Sequence, residues 1–270
     1  MEDLKAFLKD ALKKMSESFG IPGYEDGIRA TIIELMKPFV DEIKVDKLGN
    51  IIGVLHGKSE KPKIMIAAHM DQIGFLVKHI DEKGFLRLTP VGGWDARTLL
   101  NVRVKILTKD GKFVHGIIGS KPPHILKEEE KSKPITIDDL FVDVGATKKE
   151  DVEKLGIRVG SPVILDFNFI ELPNDRVSGL AFDDRSGVAV MLGALKLLSE
   201  EKDKIEGTVY AVATVQEEVG LRGARTSAFS VNPDVGIAID VTIAADVPGV
   251  GDQDKITELG KGPAITIMDA

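Results

Sequence analysis

The residues of this chain best suited to chemistry fall in four separated clusters: His69-Met70-Asp71, Asp183-Asp184, Glu217-Glu218 and Asp240. Three of them directly follow apolar runs of β character. Residues 64–68 lead into His69, 209–215 into Glu217, and 235–239 into Asp240. In open α/β sheets, ligands bind in the crevice beyond the carboxyl ends of the strands. Imidazole and carboxylate groups gathered there would make a two-metal hydrolytic site, with co-catalytic ions about 3.5–4 Å apart.

Each cluster has its own mechanics. A metal-bound imidazole usually gives its other N–H to a carboxylate. Two residues apart on an extended chain, His69 and Asp71 point to the same side, so Asp71 can orient His69. Asp183-Asp184 opens a helix, where an acidic pair would by itself be read as a cap. As a ligand, Asp183 could bridge two ions through its two oxygens. Adjacent residues at a strand end diverge, so one of Glu217 and Glu218 could hold metal while the other exchanges a proton with the reactive water. Asp240 alone would be read as a turn former; its weight comes from the set.

The elements that must carry these residues are legible as a pattern. Leu4, Phe7, Leu8, Leu12 and Met15 recur at helical spacing, and Gly20 is a plausible stop. Residues 25–36 read as a second helix, and 43–54 as a hairpin turning near Leu48-Gly49-Asn50. The run ending in Ala68 is apolar almost throughout, as in a strand covered on both faces. Beyond Asp71 the segments become short, β-rich and broken by Gly and Pro; Asp110-Gly111 marks a hairpin between 102–108 and 113–118. Residues 121–134 read as an exposed loop. The α/β pattern resumes with a helix at 186–198, a strand at 209–215, a short helix near 225–229 and a strand at 235–239. Residues 262–268 look like a last strand. The expectation is an α/β protein, a mixed sheet flanked by helices, formed by residues 1–71 and 166–270, with a small β-rich, barrel-like domain inserted at 72–165.

Composition narrows the function classes. The chain has 270 residues, 43% hydrophobic and 29% charged, enough for a substantial core. Acidic residues (43) outnumber basic ones (36), for a net charge of −7, and no Lys/Arg block stands out, which argues against a nucleic-acid partner. There is no cysteine, so thiolate zinc sites and cysteine nucleophiles are excluded and His and carboxylate remain as ligands. This fits a cytoplasmic protein. The charged N-terminus is unlike a signal peptide, and no apolar run is long enough to span a bilayer.

At the four clusters the sequence resembles the tetrahedral, or deblocking, aminopeptidases, a dinuclear-metal peptidase family that includes glutamyl aminopeptidases and members labelled endoglucanase. The likeness is carried by Ala67-Ala68-His69-Met70-Asp71-Gln72-Ile73-Gly74, Ala181-Phe182-Asp183-Asp184-Arg185, Thr214-Val215-Gln216-Glu217-Glu218-Val219-Gly220-Leu221-Arg222-Gly223-Ala224 and Ala238-Ile239-Asp240-Val241-Thr242. The resemblance implies that His69, Asp183 and Asp240 bind one metal, that Asp183 bridges to a second also held by Glu218, that Glu217 is the general base, and that Asp71 orients His69. It implies zinc or cobalt as cofactors and peptides as substrates. It further implies dimers built through the inserted domain, and tetrahedral dodecamers built from those dimers.

Family members continue past the position of Met268 and take a final His ligand for the second metal from that part. The chain therefore reads as truncated, with its second metal site incomplete and apolar surface uncovered. His56, His79, His115 and His124 lie away from the clusters; His124 is the candidate substitute, and a structural or solvated role is the default for all four. The expected function is a metal-dependent aminopeptidase, weak or inactive in this form. The alternatives are a non-catalytic assembly subunit of the same fold and hydrolysis of another amide or of a glycoside, the last needing only paired carboxylates. Arg222 and Arg225 could hold a substrate carboxylate, but surface ion pairing explains them equally well.

Overall fold

The computed structural model describes residues 2–267, with the side chains of Glu130 and Lys131 left aside. Helix α1 (Glu2–Ser16) and helix α2 (Asp26–Met36) come first, then strands β1 (Glu42–Val45), β2 (Ile51–His56) and β3 (Lys63–His69). The turn between β1 and β2 is held by one carboxylate oxygen: Asp46 Oδ1 accepts the amide N–H groups of Leu48, Gly49 and Asn50 at 2.9–3.0 Å.

Strands β4 (Gly74–Ile80), β5 (Leu86–Val91), β6 (Arg103–Leu107), β7 (Phe113–Ser120), β8 (Leu140–Asp143) and β9 (Pro162–Leu165) close into a barrel in the order β4-β5-β8-β7-β6-β9. Short helices α3 (Glu128–Lys131) and α4 (Lys149–Lys154) lie in its connections, so the stretch expected to be plain loop carries one helical turn. The barrel has a core of its own, with Phe75, Leu86, Leu99, Val104, Ile106, Ile118 and Val163 fully buried. Phe19 and Ile21, just after α1, pack against Ile164 and Leu107 of the barrel and join the two cores.

After a small hairpin, β10 (Ile170–Leu172) with β11 (Arg176–Ser178), the long helix α5 (Phe182–Glu200) leads to β12 (Thr208–Thr214), α6 (Arg222–Val231) and β13 (Val235–Ala238). The main sheet runs β1-β2-β12-β3-β13. Its β12-β3-β13 part is parallel and β2 is antiparallel to β12. Side chains alternate across it as a two-faced strand pattern demands. Ile51, Leu55, Ile66, Ala68, Val209, Ala211 and Ala213 face α1, α2 and α5, whereas Ile52, Val54, Met65 and Val212 face the α6 side with Val231. The mixed α/β fold is thus as the sequence implied.

The strand expected at 262–268 is not formed. Residues 262–267 carry no ladder and are exposed, and Met268 lies outside the described residues. β13 is an edge strand, with Val235 and Ile237 about half exposed. Among the described residues no helix is long and apolar enough to cross a membrane.

Candidate metal and catalytic site

Parallel pairing puts the strand ends side by side. His69 closes β3 in register with Thr214 of β12, and Ala238 of β13 pairs with Ala67. The chain leaving β12 therefore delivers Glu217 and Glu218 on one side of His69, and the chain leaving β13 delivers Asp240 on the other. Asp183 arrives from the start of α5. His69 Nε2 lies 3.0 Å from Asp183 Oδ1 and 3.7 Å from Glu217 Oε2. Two groups have ligand atoms within 4.8 Å of one another: His69 with Asp183 and Asp240, and His69 with Glu217 and Glu218. Five of the six residues singled out in the sequence come together in these groups, and the sixth, Asp71, lies beneath them. The grouping adds one detail, since Glu218 clusters with His69 and Glu217.

His69 is only 3% exposed. Its Nδ1 lies 3.1 Å from the Asp71 carbonyl oxygen and 3.7 Å from the Asp71 carboxylate. The nearest acceptor for an Nδ1–H is therefore the main-chain oxygen, which leaves Nε2 turned toward the carboxylates. The Asp71 carboxylate does something the sequence did not suggest. Its Oδ1 accepts the amide N–H of Glu217 at 3.0 Å and its Oδ2 that of Glu218 at 3.1 Å. Fully buried, it fixes the main chain of the two residues that carry the acidic side chains.

The pair Asp183-Asp184 divides its work. Neither residue has helical φ/ψ, and the peptide between them is cis. Asp183 is exposed toward the site, whereas Asp184 is buried. Asp184 Oδ1 accepts the Gly187 amide N–H at 3.0 Å, and its Oδ2 accepts that of His69 at 3.2 Å. The cap reading and the ligand-type reading of this pair thus belong to different residues.

Two further anchors were not picked out by sequence reasoning. Arg185, with no exposed surface, donates Nε–H to Met70 O (3.1 Å), Nη1–H to Met15 O (2.6 Å) and Ser18 O (2.7 Å), and Nη2–H to Gly20 O (3.3 Å). Burial pushes the guanidinium down to about 9, which leaves it charged at neutral pH. Asn50 accepts the Val215 amide N–H at 3.0 Å and donates to Gly223 O and Thr226 Oγ1, tying the end of β12 to the start of α6. Its position at a turn was visible; its buried long-range partners were not. Arg222 donates to Gln216 Oε1 at 3.3 Å and Arg225 is exposed. His56 pairs with Glu42, His115 with Asp166, and His79 and His124 are exposed; none joins either group around His69.

Electrostatics record the crowding of like charge. Burial, then Asp183, pushes Glu218 up to about 7. Burial, with Asp240 adding, takes Asp184 to about 7. Burial also raises Glu217, with Asp71, Asp240 and Asp183 adding to it. Burial opposes the charged form of His69, yet Asp183 and Asp71 raise it to about 11. A dense set of carboxylate oxygens around one imidazole is a donor set for a divalent cation, and the residues present fit one.

A family model described as M42 glutamyl aminopeptidase matches residues 49–270. The lysyl aminopeptidase of Pyrococcus furiosus is 42% identical over 261 residues, 96% of this chain and 72% of that protein. A solved aminopeptidase from Desulfurococcus kamchatkensis superposes with a TM-score of 0.90 at 48% identity, over 96% of this chain and 70% of that one. The TET1 peptidase of Pyrococcus horikoshii, described as assembling into a tetrahedron or a large octahedral shell, gives 0.78 at 38% identity, over 89% and 72%. The chain belongs to the M42 glutamyl aminopeptidase family and is a peptide hydrolase of the aminopeptidase class. Divalent metal goes with that family, and the two groups around His69 are its candidate holders. The reading as a non-catalytic assembly subunit is not favoured.

Proposed function

We propose that this chain releases N-terminal residues from peptides with two divalent ions, zinc or cobalt, at the His69 site. The observation that carries this reading is the convergence of His69, Asp183, Asp240, Glu217 and Glu218 at the ends of β3, β12 and β13 and the start of α5. His69, Asp183 and Asp240 would hold one ion. Asp183 and Glu218 would be this chain's ligands for the other. Bound ions of this kind polarise a scissile carbonyl and make water acidic at neutral pH.

The protein's own part is positioning and proton transfer. Glu217 takes the proton from the attacking water and passes it to the departing amine. Its raised pKa suits both halves of that exchange. Asp71 holds the main chain of Glu217 and Glu218 still, and its carbonyl fixes the His69 tautomer. The shell-forming TET1 peptidase supports self-association. We extend this to dimers formed through the barrel of residues 72–165, assembled in turn as tetrahedral dodecamers in the cytoplasm.

Glu217→Gln tests the reading. Hydrolysis of aminoacyl-anilides should fall by about two orders of magnitude or more, the range expected for a lost general base, with metal content near that of the parent. Turnover retained in this variant refutes the mechanism.

A further inference from the structure

The loop that leaves β5 of the barrel reaches the site. Gly92 has φ +81°, in the left-handed region that favours glycine. A methyl group placed on it would lie 2.4 Å from Ile73 Cγ2 and 3.2 Å from Glu218 Oε2. A side chain at this position would therefore crowd both Ile73 and the Glu218 carboxylate, and one of them would have to shift. The loop is braced from behind. Trp94 stacks on Phe75 of β4, with ring centroids 4.6 Å apart and planes 24° apart, and its Nε1–H donates to Gly74 O at 2.9 Å. Asp95 Oδ1 accepts the Arg97 amide N–H at 3.0 Å, which starts the turn that follows.

We infer that Gly92 is a positioning residue for Glu218, and that the barrel, braced through Trp94, is one wall of the metal site. This rests on the reading of Glu218 as a ligand. A carboxylate left to rotate spends much of its time out of coordinating geometry; a close wall of backbone restricts it, as supporting contacts around metal ligands do. The contrast within the loop is sharp, because a methyl group on Gly93 would meet nothing within 4 Å. The inserted barrel then acts on chemistry as well as on any assembly it supports, and its loop is tied to the site by size at a single position.

The test is zinc titration of the metal-stripped full chain, read as ions bound and their affinity, with the thermal midpoint of the metal-free protein as a separate measure of folding. Glu218→Ala defines the zinc that depends on Glu218. Gly92→Ala should weaken that zinc on the order of 10–100-fold, the usual effect of disturbing a ligand's support, while Gly93→Ala leaves it unchanged. Placing Gly92→Ala on an Ile73→Gly background removes both contacts with the Ile73 side chain, at 2.4 and 3.2 Å, and leaves the one with Glu218, and the affinity loss should persist there. Should Gly92→Ala fail to fold, Trp94→Phe keeps the stack and removes the bond to Gly74, and a smaller loss of the same zinc is expected. If Glu218→Ala binds zinc as the parent does, the ligand reading fails and this inference falls with it. If Glu218→Ala loses zinc and both Gly92→Ala and Trp94→Phe keep it, the inference alone is overturned.

Discussion

Asp71→Asn is the substitution that separates the two tasks this residue performs. In the native chain each carboxylate oxygen takes one amide N–H, from Glu217 at 3.0 Å and Glu218 at 3.1 Å, and the side chain is fully buried. Asparagine is nearly the same size and can still accept one of these N–H groups. Its NH₂ must then face the other, donor against donor. One hydrogen bond to an ionised acceptor is lost and a buried N–H is orphaned, which costs about 2–3 kcal/mol. For a protein of this size that is roughly a 5–10 °C fall in thermal midpoint. His69 keeps its nearest Nδ1 acceptor, because that acceptor is the main-chain oxygen of residue 71 at 3.1 Å. Any loss of turnover in Asp71→Asn must therefore pass mainly through the displaced Glu217–Glu218 main chain. A shift near 1 Å at the base is worth about 100-fold in rate. The assay pairs urea unfolding with anilide turnover and a metal count; the expected outcome is lower stability and turnover with metal at the His69–Asp183–Asp240 group largely kept. A variant within about 0.5 kcal/mol of the parent, the range of an inconsequential change, and turning over normally would refute the role given to this carboxylate.

Other outcomes follow from the same geometry. His69→Ala removes the residue common to both ligand groups, so metal and activity should be lost together; full metal occupancy by elemental analysis would rule His69 out as ligand. Arg185→Met strands four main-chain carbonyls from Met15, Ser18, Gly20 and Met70 and should cost about 3–5 kcal/mol by denaturant unfolding, the range for breaking a buried charged network; a cost under 1 kcal/mol would contradict the anchoring role. Burial opposes the ionisation of Asp166, but Lys105 at 2.8 Å and His115 at 3.0 Å hold its carboxyl below 3.8. A depressed carboxyl contributes stability above its unfolded pKa and loses it as pH falls through the folded one. Asp166→Asn should thus be less stable than the parent at pH 7, with the difference shrinking as acid protonates the parent's carboxyl; parallel curves would exclude this linkage.

What could be read from the sequence was set by local rules. Apolar runs ending in acidic or imidazole residues revealed β3, β12 and β13 and the residues at their ends, because parallel strands finish on one side of a sheet. Asp110-Gly111 revealed the β6–β7 hairpin by turn chemistry alone. The strand expected at 262–268 failed because a strand exists only through its ladder, and residues 262–267 have no neighbour to pair with. The burial of Arg185 was equally out of reach, since its partners are 115 to 170 positions away. Asn50 looked like a turn residue because its bonds to Asp46 are local; those to Val215, Gly223 and Thr226 are not.

The least legible feature is the division of labour within acidic pairs, and it bears most on function. Sequence presents Asp183 and Asp184 as equivalent. Burial and two amide donors make Asp184 an anchor that ties the start of α5 to the main chain of His69. Asp71 does the same for Glu217 and Glu218. Both anchors spend a buried carboxylate on main-chain N–H groups, an arrangement that tolerates no rotation. The consequence is that three of the acidic groups facing the site, Asp183, Glu217 and Glu218, are mounted on main chain held by buried carboxylates. Burial first, and then neighbouring carboxylates, raise Asp184 and Glu218 to about 7. A preorganised cluster of like charge has unfavourable self-energy that a divalent cation would relieve, so the two buried anchors hold Asp183, Glu217 and Glu218 in an arrangement suited to one.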